Sequence, residues 1–162
     1  MIFVTVGTQL PFNRLTRILD SWSSVNPTVR IESQLGLNAE NPSSLNGIAM
    51  MPASLVREKI AAAEVIVAHA GMGTILSCLE LRKPIIIFPR LASLGEHRNE
   101  HQSATARWLD GRPGVYVAWD EASLVDLLNQ RKLLCASTAS LSNQASPELI
   151  GKVQLFFSSH VS

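Results

Sequence analysis

The stretch Val65-Ile-Val-Ala-His-Ala-Gly-Met-Gly-Thr74 decides the fold class of this chain. Its apolar, β-branched beginning, Val65–Ala68, predicts a short buried strand, and residues 75–81 predict a helix. Gly71 and Gly73 lie between them, where glycine accepts positive φ and lets an anion approach the backbone. Unpaired N–H groups at a helix start, together with the helix dipole, favour a phosphate or diphosphate. The same loop is also compatible with a tight turn that binds nothing.

Apolar runs alternate with helical patterns along the rest of the chain. Strands are predicted at Ile2–Val6, Val29–Glu32, Ile48–Met51, Val65–Ala68, Ile85–Phe88 and Val115–Ala118. Helices are predicted at Phe12–Trp22, Ser54–Ala62, Thr74–Leu81, Glu100–Leu109, Glu121–Asn129 and Pro147–Phe157. We therefore expect an α/β fold, a Rossmann-like parallel sheet with helices on both faces, formed by residues 1–162 as one domain.

Three loops are expected to meet at one edge of this sheet. Ligands of such folds bind at the carboxyl ends of the strands. Gly7-Thr8-Gln9 and Pro89-Arg90 follow predicted strands there, as does the glycine loop. Two further segments, 36–47 and 134–146, are predicted to be loops because they are rich in small polar residues. The last helix, within 147–158, offers an apolar face either for a partner or for packing on its own sheet.

The composition excludes several classes of protein. Lys plus Arg number 14 and Asp plus Glu 13, without a basic stripe, so we expect no nucleic-acid partner. Two cysteines outside any CxxC pattern, Cys78 and Cys135, are typical of a reducing compartment. The N-terminus has no signal-peptide pattern, and no apolar run approaches the ~20 residues that span a bilayer. The expected location is the cytoplasm.

A polar stretch, Gly95-Glu-His-Arg-Asn-Glu-His-Gln102, follows the strand that ends at Pro89-Arg90. Its density of hydrogen-bonding groups at the start of the predicted helix suits recognition of ribose and sugar hydroxyls. The alternative is a solvated helix N-terminus whose acidic residues are favoured by the dipole.

These motifs together resemble the nucleotide-sugar-binding half of a GT-B glycosyltransferase. The matching pieces are His-Ala-Gly-x-Gly-Thr, a strand led by Lys-Pro, Pro-Arg, Gly-Glu-His-x-x-x-His-Gln, and the start Phe3-Val-Thr-Val-Gly-Thr-Gln9. More narrowly, the chain is similar to short bacterial exopolysaccharide glycosyltransferase subunits. It is also similar to the soluble catalytic subunit of the eukaryotic enzyme that adds N-acetylglucosamine to a dolichol-linked acceptor. The similarity runs from about residue 1 to 130.

The resemblance implies a role for each matching residue. The diphosphate and nucleotide of a UDP-sugar would be held by Gly7, Thr8, Gly71, Met72, Gly73, Thr74 and Arg90. Catalytic roles would belong to His69, Glu96 and His97, with a protonated His69 offsetting the charge of the leaving group. Sugar and ribose would be contacted by Ser77, Glu80, His101 and Gln102. Arg90 has the alternative of pairing with a surface carboxylate, and His69 of merely ending its strand.

The chain departs from the family pattern at Ser77, where relatives often carry a carboxylate that holds the ribose hydroxyls. Glu80 lies three residues further along, on a neighbouring face of the helix, and is the candidate replacement. Ribose recognition through this helix is the least supported part of the resemblance.

The resemblance also implies a second polypeptide. A GT-B enzyme has two domains with the active site between them, and this chain has the length of one. A half-site open to water cannot protect a reactive sugar donor. We therefore expect a membrane-anchored, acceptor-binding subunit and a lipid-linked acceptor, with this chain held at the membrane through its partner. Self-association of the isolated chain stays open.

Two other kinds of site, a metal site and an NAD site, fit the sequence less well. His97 and His101 have the i, i+4 spacing of a metal pair, but no third ligand is obvious, so neither a metal nor a cofactor beyond the UDP-sugar is expected. The loop after Val6 lacks the GxGxxG spacing of an NAD site. A non-catalytic nucleotide-sugar-binding or regulatory subunit, and an unrelated Rossmann-like nucleotide-binding module, remain the alternatives.

Overall fold

The computed structural model describes residues 1–40 and 42–138 and contains a six-stranded, all-parallel sheet. The strands are β1 Ile2–Thr5, β2 Ile31–Gln34, β3 Asn46–Ile48, β4 Val65–Ala68, β5 Ile85–Ile87 and β6 Val115–Val117. The helices are α1 Asn13–Ser24, α2 Ala53–Ala62, α3 Met72–Glu80, α4 His101–Leu109 and α5 Glu121–Asn129. Short 3-10 turns occur at Ala92–Leu94 and Arg131–Leu133. The predicted Rossmann-like α/β fold is confirmed.

The strand order is β3-β2-β1-β4-β5-β6, so the direction of winding reverses between β1 and β4. β1 pairs in register with β2 on one side, Thr5 beside Gln34, and with β4 on the other, Thr5 beside Ala68. The loops that leave β1 and β4 therefore diverge and open a crevice at the carboxyl edge of the sheet, which is where ligands bind in this type of fold.

Both faces of the sheet are covered by helices, which explains why its central strands are apolar at consecutive positions. On one face, Val4 and Val67 pack with residues of α1 and α5, including Leu19 and Leu124. On the other face, Phe3, Ile66 and Ile85 pack with residues of α2, α3 and α4, namely Ile60, Ile75 and Ala106. Burial of this much branched apolar surface is the main stabilising contribution of the sheet.

Two predicted strands lie at other residues than expected. The second was predicted at Val29–Glu32, but Val29 closes a turn by donating to the Asn26 carbonyl, so pairing with β1 begins at Ile31. The third was predicted at Ile48–Met51, but it is an exposed edge strand, Asn46–Ile48. An edge strand pairs through its backbone on one side and needs no apolar run, so hydrophobicity alone misplaced it.

The predicted loop 36–47 is anchored at its end. The carboxylate of Asp20 on α1 accepts hydrogen bonds from the backbone N–H groups of Ser43, Ser44 and Leu45. The predicted loop 134–146 lies partly, and the predicted helix within 147–158 entirely, outside the described residues. In the described ranges, no helix is long and apolar enough to cross a membrane.

Candidate functional site

A cavity of about 610 Å³ lies in the crevice at the ends of β1 and β4. The three loops that the sequence predicts to converge all contribute to it, through residues 7–9, residues 69–71 and 73–74, and Arg90. The predicted site residues in its wall are Gly7, Thr8, His69, Gly71, Gly73, Thr74, Ser77, Arg90, His97, His101 and Gln102. Three predicted site residues are not part of the wall: Met72, Glu80 and Glu96.

The first turn of α3 supplies free backbone donors to this cavity. The first helical hydrogen bond is donated by Ile75 to the Gly71 carbonyl, and no side chain caps the helix. Among the described residues, the N–H groups of Met72, Gly73 and Thr74 have no acceptor. The N–H of Gly71 donates to the His69 carbonyl at 2.8 Å, so its predicted contact with a diphosphate is wrong for this conformation. Three aligned donors and the helix dipole form an anion site.

Of the two purposes predicted for Gly71 and Gly73, positive φ is wrong for both. Positive φ belongs instead to Gly7, in the loop after β1, at +80°. Open space at the backbone, the other predicted purpose, describes Gly73. The imidazole of His69 lies between two glycines, because a Cβ on Gly71 would overlap its Nε2 and a Cβ on Gly7 would come within 2.7 Å of its Cε1. A Cβ on Gly73 would meet no atom within 4 Å. Gly7 and Gly71 make room for His69, and Gly73 leaves the anion site open.

The imidazole of His69 is neutral at pH 7. Burial lowers its pKa to about 4, and the positive charge of Arg90 acts in the same direction. The backbone of Thr5 has the opposite, smaller effect and favours the protonated ring. It makes no well-formed hydrogen bond with the ring, because Nδ1 is buried and has no partner among the described residues. The predicted protonated imidazole is therefore wrong for this structure at pH 7. A neutral ring accepts a proton instead of supplying positive charge.

This pKa predicts a loss of stability in mild acid. Between pH 6.5 and 4 the unfolded chain protonates His69 and the folded chain does not, so the free energy of unfolding falls as the pH falls, by about 3 kcal/mol in total. Urea unfolding of the wild-type chain and of His69→Gln across this range measures the effect. The variant should lose that part of the pH dependence, whereas His101→Gln, at an exposed position, should keep it.

Arg90 holds the loop after β1 and does not contact a surface carboxylate. The residue is 2% exposed, and its two terminal nitrogens donate to the carbonyls of Val6, Leu10 and Pro11 at 2.6 to 3.0 Å. Its guanidinium carbon lies 4.5 Å from the centre of the Phe12 ring. These donors are already in use, so the predicted phosphate contact is replaced by a structural role. Burial lowers the Arg90 pKa to about 10, and the side chain remains charged.

Glu96 faces a different part of the molecule. Its carboxylate binds Arg14 through both oxygens, at 2.7 and 2.8 Å, and accepts from the N–H of Leu91. Arg14 in turn lies 4.1 Å from the centre of the Phe88 ring. The residue lines a second cavity beside α1. The predicted catalytic role of Glu96 is therefore corrected to a link between α1 and the loop before α4.

Gln102 joins two of the loops that form the site. It is buried in the first turn of α4, and its Oε1 accepts from the N–H of Ala70 at 3.3 Å and from the N–H of Arg90 at 3.1 Å. Its side-chain oxygen is occupied by these bonds, so its main effect is to position the glycine loop against the end of β5. It still lines the cavity, as predicted for a sugar-binding residue.

His97 and His101 both line the cavity, but they do not share a helix face. α4 begins at His101, so the i, i+4 argument for a metal pair is wrong. The Nδ1 of His97 lies 3.1 Å from Oδ1 and 3.2 Å from the carbonyl oxygen of Asn99, both acceptors. A proton on Nδ1 satisfies both acceptors. In the part of the chain that the structure describes, no cluster of three or more His, Cys, Asp or Glu can hold a metal.

Among the described residues, α3 places no carboxylate in the cavity wall, where the contact with ribose was expected. Ser77 lines the cavity and its hydroxyl donates to the Gly73 carbonyl at 2.9 Å. Glu80 is outside the wall and pairs with Arg57 of α2 at 3.0 Å. Glu80 therefore does not replace the missing carboxylate in this conformation.

Several residues of the cavity wall had not been predicted: Gln34, Met51, Val56, Arg57 and Thr105. Gln34 ends β2, and its place at the carboxyl edge would have indicated it if the strand had been assigned two residues later. Met51 lies just before α2, and Val56, Arg57 and Thr105 lie on helix faces. Whether such residues face a cavity depends on how the helices pack, which leaves no signal in the local sequence.

Comparisons with known proteins agree with the fold. A model of the glycosyltransferase family 28 C-terminal domain matches residues 1–148. A search of the curated proteins finds no match. The solution structure of ALG13 is similar over 86% of this chain and 90% of that chain, with a TM-score of 0.59 and 20% identity.

Two larger structures are similar over one part of their length. The glycotransferase of kitacinnamycin matches 80% of this chain with a TM-score of 0.61 and 17% identity. MurG of Acinetobacter baumannii matches 82% of this chain with a TM-score of 0.57 and 18% identity. This chain spans 34% and 42% of the lengths of those two proteins.

Proposed function

Because this chain belongs to the glycosyltransferase family 28 C-terminal domain family, we propose that it is the donor-binding, catalytic subunit of a two-component UDP-sugar glycosyltransferase. The proposed acceptor is lipid-linked, as in the synthesis of an exopolysaccharide or a glycolipid. The family supports transferase activity, and the one observation that carries the donor assignment is the start of α3. Its three N–H groups without acceptors lie beside a cavity large enough for a nucleotide.

The diphosphate of the donor would bind at these N–H groups, with the Thr74 hydroxyl as a further donor. Each hydrogen bond to a charged oxygen contributes roughly 1.5–3 kcal/mol. The cavity wall differs on the two sides of this point. Toward α2 the wall is largely apolar, with Met51 and Val56, and this suits the faces of a base. Toward α4 the wall is polar, with His97 and His101, and this suits sugar hydroxyls.

The proposed reaction is an inverting transfer. An acceptor hydroxyl attacks the anomeric carbon from the side opposite UDP, the carbon–oxygen bond to UDP breaks, and UDP leaves with the electron pair. The N–H groups and the dipole of α3 stabilise the negative charge that develops on the diphosphate. The proton of the attacking hydroxyl passes to a general base, either a residue of this cavity such as His69 or a residue of the partner subunit.

The proposed partner is a membrane-anchored subunit that binds the acceptor. The cavity is open at the edge of the sheet, and a second protein surface is needed to exclude water from the donor. The similarity to ALG13 over nearly the whole of both chains shows that a unit of this extent occurs as a separate protein structure. Through such a partner the chain would lie at the cytoplasmic surface of a membrane. Self-association through the open edge is the alternative in isolation.

One observation favours a second candidate, a non-catalytic nucleotide-sugar-binding or regulatory subunit. The cavity wall on α3 has Ser77 where a carboxylate would hold the ribose, and Glu80 is paired with Arg57. A donor held less firmly would suit a sensor of UDP-sugar as well as an enzyme.

Titration calorimetry with UDP, UDP-N-acetylglucosamine and NAD tests the donor assignment. We expect binding of UDP and of the UDP-sugar and none of NAD; the reverse pattern would overturn both candidates. Sugar transfer to a lipid-diphosphate acceptor is then measured with and without a co-expressed membrane subunit. Transfer that requires the second subunit supports the enzyme, and transfer by the isolated chain, unchanged by any membrane fraction, contradicts the two-component proposal.

A further inference from the structure

Gln34 is a buried polar residue in the wall of the donor cavity that the sequence did not indicate. It is the last residue of β2, next to Thr5 of β1, and it is 2% exposed. A long amide side chain at such a position would ordinarily have all its hydrogen-bonding groups satisfied within the protein.

Among the described residues, only the oxygen of this amide has a partner. Thr5 Oγ1 donates to Gln34 Oε1 at 2.8 Å, and it accepts from the N–H of Gly7 at 3.3 Å. The amide oxygen faces Thr5 because the hydroxyl proton needs an acceptor, and Gln34 Oε1 is the acceptor that the described residues provide. Gln34 Nε2 is left buried, with no hydrogen-bond partner in the part of the chain that the structure describes.

A buried donor without an acceptor destabilises a protein, and a role in ligand binding is a physical reason to keep one. We propose that Gln34 binds the nucleoside part of the nucleotide, donating from Nε2 to an acceptor oxygen of the base or the ribose. This inference rests on the proposed function, since it assumes that the diphosphate lies at α3. Because Nε2 is already buried by the protein itself, its hydrogen bond to a ligand has little dehydration to offset.

The strand order separates this contact from the diphosphate. Gln34 is on β2 and α3 follows β4, with β1 between them. Neighbouring strands are about 4.8 Å apart, so β2 lies roughly 10 Å from β4, the strand that leads to the start of α3. A diphosphate bound at α3 is too short to span this distance, but the nucleoside attached to it can reach β2. The neighbouring wall toward α2 carries the apolar residues Met51 and Val56, which suit a base.

The adjacent residue provides a matched control. Ser33 is 1% exposed and its hydroxyl also lacks a partner among the described residues. It lies one residue before Gln34 on the same strand, so its side chain is on the opposite face of the sheet, and it does not line the cavity. Ser33→Ala removes an unsatisfied buried polar group without touching the proposed contact.

The test compares the binding of UDP, UMP and inorganic pyrophosphate by titration calorimetry. Gln34→Met removes both polar ends of the amide, and Gln34→Glu keeps an acceptor for Thr5 while removing the donor. Both variants should bind UDP and UMP about tenfold more weakly than wild type, with pyrophosphate affinity within twofold. Ser33→Ala should bind all three ligands as wild type does, and circular dichroism should show that every variant is folded.

Each other outcome is decisive. Unchanged UDP affinity in both Gln34 variants overturns the assignment of Gln34 alone, and so does an equal loss of pyrophosphate binding, which would indicate a displaced loop. The same loss of UDP and UMP affinity in Ser33→Ala would show that the effect comes from a disturbed β2 strand, not from a lost contact with the nucleoside. Failure of the wild-type chain to bind UDP or pyrophosphate would refute the proposed function itself, and this inference with it.

Discussion

Gly73→Val is expected to weaken UDP binding by at least about 100-fold while leaving the fold intact. Gly73, the second residue of α3, lies in the cavity wall between Met72 and Thr74, and the N–H groups of all three residues have no acceptor among the described residues. A Cβ at Gly73 meets no protein atom within 4 Å, so the added side chain occupies the space that a diphosphate needs. Loss of two or more hydrogen bonds to a charged group, at roughly 1.5–3 kcal/mol each, gives this magnitude. Titration calorimetry measures it.

Met72→Val is the matched control for this variant. Met72 is in the same helical turn, is 41% exposed and does not line the cavity, so the substitution adds a β-branched residue without blocking the site. Its UDP affinity should equal that of wild type, and both variants should melt within a few degrees of it. UDP binding that survives in Gly73→Val would place the diphosphate elsewhere and remove the main support for the proposed function.

Arg90→Met is expected to lower the free energy of unfolding by about 3–5 kcal/mol. The substitution leaves the buried carbonyl of Val6 and the partly buried carbonyls of Leu10 and Pro11 without their donors. An unsatisfied buried polar group costs about 1–3 kcal/mol. It also removes the stacking of the guanidinium on Phe12. Equilibrium unfolding in urea measures the loss, and the same variant should bind UDP more weakly because residues 7–9 lose their anchor.

Arg17→Met separates this effect from the loss of an ordinary ion pair. Arg17 is 69% exposed and pairs with Glu40, and such exposed pairs contribute at most about 1 kcal/mol. A comparable, small loss in both variants would show that Arg90 does not hold the loop after β1.

The local sequence was sufficient to predict the central structural unit of the candidate site. The β4–loop–α3 unit follows from Val65–Ala68 and from glycines at two nearby positions, since strand propensity, turn conformation and helix start are properties of neighbouring residues. The parallel sheet follows from the alternation of apolar strands and helices. The edge strand β3 was misplaced because two of its three exposed residues, Asn46 and Gly47, carry no hydrophobic signal.

The roles of the polar residues could not be predicted from the sequence. Arg90 and Glu96 are residue types that bind phosphate and take part in catalysis. In the structure, however, Arg90 donates hydrogen bonds to backbone carbonyls and Glu96 pairs with Arg14. Gln34 had no recognisable motif, yet it lies in the cavity wall. Each outcome depends on partners roughly 30 to 80 residues away in the chain, which only the folded structure brings together.

The sequence alone determined that this chain has a parallel α/β fold with a glycine loop and a helix start after His69, because short-range patterns of apolar residues and glycines specify strand, turn and helix. Tertiary structure alone decided which polar groups remain free to meet a ligand. Burial makes His69 neutral, Arg90 is occupied by the loop after β1, and Gln34 keeps a buried donor that has no acceptor among the described residues. The charge and availability of a side chain depend on dehydration and on distant partners, and neither is encoded in neighbouring residues.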